Sequence, residues 1–505
     1  MNLLPNNWTY AKINDLISNE GIFVDGDWIE SKDQNPKGKV RLIQLADIGD
    51  GIFRDRSNRY LTKEKSVELG CTYLKKQDIL VARLPEPLGR ACIFPLNNSQ
   101  NYITAVDICV IRPENKYVNI KYLLFLINSP TIRIEIDKLK SGTTRKRISR
   151  KNFAKIDLPI APMHEQSHIA EKIEELFSDL DKATEDLIKT QEQLKIYRQA
   201  VLKAAFEGKL TEEWRKKHSI SSAELLLKKI FNKRKEIYKK QQIEKQKNLK
   251  SPEKFYKKEN ITEIKLDSIP DTWKQIKLID LIKYEENAIK RGPFGSAIKK
   301  AYFAPKGYKV YEQKNAINDD ATLGDYYINE TKYKELEGFS VKGGDFIISC
   351  SGTIGRISKL PKGASGGVIN QALLKIVLEE DLFIDKLFLY LFRAEFFQRK
   401  VLKETRGSAM KNIASVEDIK NINVLLPPKE EQEQIVNEIE SRLSVCDKLE
   451  ETIQLSLKKI EYLHQSILKK AFEGKLVPQD PNDLPACELL KQIKIEKDKM
   501  SKNGK

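Results

Sequence analysis

PPKEEQEQIVNEIESRLSVCDKLEETIQLSLKKIEYLHQSILKKAFEGKL, residues Pro427–Leu476, opens on two prolines and closes on Phe-Glu-Gly-Lys-Leu. Proline breaks a helix interior but is accepted just ahead of the first turn. Glu430 and Glu431 then suit the positive end of a helix dipole. From there Ile435, Ile439, Arg442, Cys446, Leu449, Ile453, Ser456, Ile460, Leu463 and Ile467 follow in alternating steps of four and three. That alternation is a coiled-coil seam, polar at Arg442 and Ser456. The spacing predicts one helix of about 44 residues, roughly 66 Å long at 1.5 Å per residue.

A copy lies upstream. FEGKL recurs at Phe206–Leu210, 266 positions before Phe472. HEQSHIAEKIEEL at His164–Leu176 answers EEQEQIVNEIESRL at Glu430–Leu443, and Gly89-Arg90 answers Gly355-Arg356. Trp8, Lys12, Asp15, Leu16 and Ile17 match Trp273, Lys277, Asp280, Leu281 and Ile282. An offset held over this distance means tandem duplication. The first seam reads Ile169, Ile173, Leu176, Leu180, Ala183, Leu187, Thr190, Leu194, Tyr197 and Val201. Neither helix can bury its stripe alone, so the two are expected to pack on each other.

Ahead of each helix lies a mixed segment. Short β-like runs, Asp78–Ala82 and Asp345–Ser349, alternate with turns such as Gly49-Asp50-Gly51 and Gly343-Gly344. One helical stretch falls near Lys121–Ser129 and another near Asp385–Lys403. The fold class is therefore α+β. The expected divisions are 1–160 and 269–427 for the globular segments, and 161–210 and 428–476 for the long helices. A Lys-rich helical linker fills 211–268 and a C-terminal tail 477–505.

Composition narrows the function. The 505 residues carry 89 Lys and Arg against 72 Asp and Glu, a net charge of +17. Such a balance points to an anionic partner, most often nucleic acid. Residues 211–268 alone hold 17 basic and 9 acidic side chains, nearly half of the excess. No apolar run is long enough to span a membrane, and the N-terminus lacks a secretory pattern. Six scattered cysteines form no CxxC pair, so a reduced, cytoplasmic chain is expected.

Two catalytic motifs occur and are set aside. His164-Glu165-Gln166-Ser167-His168 matches the HExxH zinc signature. Its repeat has Glu430 and Gln434 at the histidine positions, and no third ligand is suitably placed. Gly363-Ala-Ser365-Gly-Gly367 matches a nucleophile elbow, but the one downstream histidine, His464, lies inside the second long helix. No phosphate loop or adenine-methyltransferase signature is present, so no cofactor is expected in this chain.

Taken together, PPKEEQEQI at Pro427–Ile435, ILKKAFEGKL at Ile467–Leu476 and their copies at Pro162–Ile169 and Val201–Leu210 resemble the specificity subunits of Type I restriction–modification enzymes. The resemblance covers nearly the whole chain. It implies two target recognition domains, each reading one half of an asymmetric bipartite site in double-stranded DNA. It implies that the long helices form an antiparallel coiled coil that spaces the half-sites and docks two methyltransferase subunits. Restriction subunits would join them. S-adenosylmethionine, ATP and Mg would belong to those partners, and this chain would be non-catalytic. The rival readings are a stand-alone coiled-coil DNA-binding regulator and a self-contained methyltransferase or nuclease.

Candidate DNA-contacting residues lie in basic, glycine-containing loops, where the backbone can approach phosphate. In the first domain these are Arg83, Arg90, Arg145, Lys146 and Arg147. In the second they are Arg291, Lys299, Lys300, Arg356, Arg406, Lys411 and Asn412. Arg41, Gln44, Gln313 and Lys314 follow strand-like runs and are candidate base readers. Candidate helix–helix packing residues are Ile169, Ile173, Leu176, Leu180, Leu187, Leu194, Ile435, Ile439, Leu449, Ile453, Ile460 and Leu463.

Overall fold

The long helices form at Met163–Phe206 and Lys429–Phe472, 44 residues each. Each is closed by a glycine in the left-handed region, Gly208 (φ 73°) and Gly474 (φ 70°). Glycine takes that conformation without steric cost. A Cβ would also stand 2.6 Å from Pro270 Cγ at Gly208 and 2.3 Å from Pro5 Cγ at Gly474. The repeated FEGKL is thus a helix end fitted against a proline at the start of a domain.

The computed structural model describes residues 4–84, 87–97, 101–244, 269–404 and 411–503. It forms two compact units, Met1–Lys189 with Ile453–Lys505, and Thr190–Thr452. In the first unit the beginning of the first long helix lies beside the end of the second. Phe177 and His464 rings are 4.5 Å apart, and Asp181 is 3.8 Å from the same imidazole. In the second unit the end of the first helix lies beside the start of the second, and Arg198 reaches Asp447 at 2.7 Å and Glu450 at 3.0 Å. The helices therefore pack antiparallel.

The seam corrects two expected packing residues. Ile169, Ile173, Ile435, Ile439, Ile453 and Ile460 are buried, and Leu176, Leu180, Leu187 and Leu194 are half-buried. Leu449 and Leu463, however, are 46% and 48% exposed. Their places are taken one residue on by half-buried Glu450 and His464. One residue is a rotation of about 100°, and an ideal helix drifts about 20° per heptad from a 3.5 repeat. Apolarity favours leucine, while Arg198 and Phe177 favour the polar neighbours.

Each unit repeats one topology. In the first, strands Ile22–Asp25, Ile108–Arg112, Ile79–Ala82 and Ala91–Ile93 lie in that order in an antiparallel sheet. In the second the order is Ile289–Arg291, Leu373–Ile376, Phe346–Ser349 and Ile357–Lys359. A smaller sheet joins Val40–Ile43 in parallel to Tyr102–Thr104, and its counterpart joins Tyr308–Tyr311 to Gly367–Ile369. Two-stranded ribbons, Thr9–Ala11 with Leu158–Ile160 and Lys274–Lys277 with Asn423–Leu426, close each domain just before its helix.

Helix and domain share one core. Leu126, Ile132, Ile169 and Ile173 pack in one cluster with Leu468, Ala471 and Phe472. Leu387, Phe388, Ile435 and Ile439 pack with Leu202, Ala205 and Phe206. Full burial of one such side chain contributes about 1.5–3 kcal/mol.

A polar clamp sits at each helix start. Glu431 is fully buried and accepts from Trp273 Nε1 at 2.7 Å, from Thr211 Oγ1 at 2.7 Å and from the Arg215 guanidinium. Glu165 accepts from Trp8 Nε1 at 2.8 Å, but its Oε1 is buried with no hydrogen-bond partner. Burial, with Asp483 nearby, raises the Glu165 pKa above the ordinary carboxylate value. The next residue is a glutamine in both copies. Gln166 accepts from Asn119 N and donates to Ala161 O, both at 2.9 Å. Gln432 accepts from Ile384 N at 2.9 Å and donates to Leu382 O and Pro427 O. The repeated Glu-Gln therefore joins helix to domain.

The segments expected as linker and tail hold packed helices. Ala223–Glu244 begins with Ala223 N donating to Thr272 O at 2.9 Å, and Arg234 donates to Asp280 O and Ile282 O. Ala486–Asn503 begins with Ala486 N donating to Asn7 O at 2.9 Å, and Lys497 donates to Asn14 O. The sequence echo of Ala223–Leu226 at Ala486–Leu490 reads as a short amphipathic helix within the tail; with Ala486 and Ile493 buried, that helix runs on to Asn503. Residues 245–268 of the Lys-rich segment lie outside the described residues.

Candidate nucleic-acid interface

In the second unit three loops leave the same end of the four-stranded sheet. They follow Arg291, precede Leu373 and connect Ser349 to Ile357. Gly292 N donates to Leu373 O at 2.8 Å and Cys350 N to Ala372 O at 2.7 Å, so the loops are mutually braced. A Cβ at Gly295 would meet the Gln371 side chain at 2.2 Å, and one at Gly352 would meet Gln313 at 3.5 Å. The surface so formed carries Arg291, Gln313, Gln371 and Arg356. Arg291, Gln371, Arg356, Lys299 and Lys300 are exposed. Lys314 pairs with Glu312 at 2.9 Å, and Gln313 Oε1 is buried without a partner. Arg406 lies outside the described residues. Lys411 and Asn412 are described only as backbone of the strand Lys411–Ile413.

The same sheet end in the first unit gathers Arg83 and the hairpin Ser141–Arg147. Ile148 N donates to Arg83 O, and Ser141 and Arg147 exchange two backbone hydrogen bonds of 2.9 Å. Arg145, Lys146 and Arg147 are exposed on that hairpin. Arg83 is half-buried, lies 3.3 Å from Asp25 and donates to Val106 O. Arg41 is paired with Asp47 and Asp55, and Gln44 N donates to Asp47 Oδ2.

Arg90 stands apart as a structural residue. It is 8% exposed and donates to Ile48 O at 2.9 Å and Leu45 O at 3.2 Å. Burial, with Arg54 near, lowers its pKa from the ordinary guanidinium value. Its glycine neighbour, Gly89, made the Gly-Arg pair look like a phosphate-facing loop, but the arginine turns inward to satisfy carbonyls. Exposed Arg54 and Arg56 border the hollow at Arg90, with Asp50 and Pro87. In the sequence the alternating Arg54-Asp55-Arg56 run is the mark of this basic rim.

Strand register also realigns the candidate base readers. Arg41 pairs with Tyr102 where Lys309 pairs with Gly367. Gln44 and Glu312 then cap the next short helix, with Asp47 and Asn315 answering. Lys309 is buried and donates to Thr322 O at 2.8 Å. The counterpart of Gln44 is thus Glu312, so Gln313 and Lys314 belong to the following turn.

The set-aside motifs have other employment. Glu165 of the HExxH match is the helix clamp, and its flanking His164 and His168 rings stack edge-on at 4.2 Å. Ser365 leads into a strand and accepts the Tyr311 hydroxyl on its carbonyl at 2.7 Å.

Known proteins agree with this architecture. The EcoKI specificity subunit of Escherichia coli (strain K12), a Type I restriction enzyme component, is 25% identical over 403 residues, covering 77% of this chain and 74% of its own. A putative Type I specificity subunit, MjaX of Methanocaldococcus jannaschii, is 20% identical over 476 residues, covering 94% of each chain. A solved chain from complex assembly of the type I R-M system superposes with TM-score 0.62 at 16% identity, covering 94% of this chain and 100% of that one. The HsdS subunit from Thermoanaerobacter tengcongensis gives 0.51 at 15% identity over 94% and 98%. Residues 5–192 and 270–459, one domain with the greater part of its long helix in each span, match the Type I restriction modification DNA specificity domain, and the chain belongs to that family.

Proposed function

We propose that this chain is the non-catalytic specificity subunit of a Type I restriction–modification enzyme, with each domain reading one half of an asymmetric bipartite DNA site. The observation that carries it is the pair of sheet ends, built on one topology but fitted with different loops. One domain can place few donors and acceptors in a groove, so joining two words makes one rare site. Unlike loops imply unlike words, hence a site without a palindrome.

The long helices are the docking surface for two adenine-N6 methyltransferase subunits, which restriction subunits join. Their outward faces support this. Leu455 and Tyr462 are 53% and 75% exposed in one unit, as are Ile196 and Val445, at 70% and 59%, in the other. Exposed apolar side chains on such a face suit a protein partner. S-adenosylmethionine, ATP and Mg enter with those partners.

Mapping N6-methyladenine across the genome, with and without this gene, tests the reading. Loss of one bipartite, non-palindromic motif is expected. An unchanged map, with no methyltransferase copurifying, would favour the stand-alone regulator. A second result concerns phosphate contact. Replacing Arg145, Lys146 and Arg147 together by alanine is expected to weaken binding to all sequences alike. The slope of log K against log salt should shrink by about two to three, since each phosphate contact contributes about 0.9. An unchanged slope removes the hairpin from the phosphate contacts.

A further inference from the structure

The most exposed aromatic side chain among the described residues is Phe294, at 90%; Trp28 stands at 71%. The two are structural equivalents. Asp25 pairs with Cys109 where Arg291 pairs with Leu374. The next residues, Gly26 and Gly292, donate to Ile108 O and Leu373 O. A Cβ would stand 2.2 Å from Ala105 O at Gly26 and 1.8 Å from Asn370 O at Gly292. Both glycines are therefore fixed by close backbone approach, and each is followed two residues later by the projecting ring.

Single exposed apolar residues are ordinary on a protein surface. Phe294 differs in how it is held. Pro293 is buried, Gly292 is pinned to Leu373, and Ala297 N donates to Phe294 O at 2.9 Å in a short 3-10 turn. Gly295 seats that turn on Gln371. The ring thus stands on a braced backbone, at the loop end that also carries Arg291, Gln371 and Arg356. Exposed Lys299 and Lys300 follow it. Trp28 has different company: its Nε1 approaches Glu30 at 3.5 Å, Asp25 and Asp27 precede it, and the nearby cations Lys32, Arg83 and Arg150 are paired with Glu30 and Asp25. Acidic neighbours oppose close approach to phosphate, and cations favour it.

We propose that Phe294 is a wedge that enters between two base pairs of the duplex read by the second domain, unstacking one step. This rests on the DNA-reading role proposed above. A preorganised apolar ring among cations matches how side chains kink duplexes, and the step it enters adds selectivity through deformability. Arg291 and the two lysines hold the backbone on either side while the ring displaces base from base. Trp28, set among carboxylates and the cations paired with them, does not insert.

The test uses the full chain with its methyltransferase subunits. The probes are duplexes carrying the mapped bipartite sequence, with 2-aminopurine placed in turn in and beside the second half-site. For the unaltered protein, fluorescence is expected to rise several-fold at one position besides the adenine that the methyltransferase subunit flips out of the stack. Phe294→Ala abolishes that rise and weakens binding about ten- to hundred-fold, the worth of one lost base stack. Phe294→Leu keeps the rise, which separates wedge from misfolding. Arg291→Ala weakens binding with the rise intact, and Trp28→Ala leaves the rise at the second half-site unchanged. The wedge is overturned if no position besides the flipped adenine brightens with the unaltered protein, or if Phe294→Ala brightens that further position and binds like it. Should the unaltered complex bind a scrambled duplex equally well, the specificity reading itself fails, and the wedge with it.

Discussion

Glu431→Ala is expected to destabilise the second unit by about 3–5 kcal/mol, the scale on which a buried ion pair answers to loss of one partner. The alanine leaves three donors, Trp273 Nε1, Thr211 Oγ1 and the Arg215 guanidinium, facing a void, and the guanidinium keeps its charge. Glu165→Ala should cost the first unit only about 1–2 kcal/mol. There a single indole loses its acceptor, and a carboxylate with one unpartnered oxygen is removed. Urea unfolding followed by hydrogen exchange in the two closing ribbons, Thr9–Ala11 and Lys274–Lys277, assigns each loss to its unit. Equal losses from the two substitutions would refute this account of the clamp.

The second large effect tests the seam. Ile453 is 4% exposed, whereas Leu449, one turn earlier, is 46% exposed. Ile453→Asp is expected to cost at least about 3 kcal/mol, because it empties a core position and buries a carboxyl there. Leu449→Asp should stay within about 0.5 kcal/mol, as surface changes do. Thermal unfolding of the two variants side by side decides it. A large loss from Leu449→Asp would restore the simple four-three seam, with Leu449 inside.

Much of the architecture was legible because repetition writes it twice. Trp8 and Trp273, Glu165 and Glu431, and Gly208 and Gly474 each hold the same joint. The antiparallel helices were legible because a stripe of that length needs a partner. Side-chain direction was not. Leu449 and Glu450 differ by one helical step, and only Arg198 on the first long helix decides between them. Arg90 reads as a basic loop residue, yet the carbonyls of Ile48 and Leu45 draw it inside. The start of the helix Ala486–Asn503 was legible as an echo of Ala223–Leu226, but its length was not, because the apolar stripe thins among charges. At the sheet ends the loops were visible as glycine and cation, but their convergence depends on strand order, which local pattern does not encode.

The first unit draws residues from both sides of the second, Met1–Lys189 and Ile453–Lys505. Its core needs Leu468, Ala471, Phe472, Ala486 and Ile493. On the ribosome this has a temporal consequence. The second unit has all its residues in hand when Thr452 is made, while the first domain, synthesised earlier, still waits for its cover. At about 5–20 residues per second, roughly 15–60 s separate Lys189 from Ile493. Throughout that interval the nascent chain presents an apolar face without its lid.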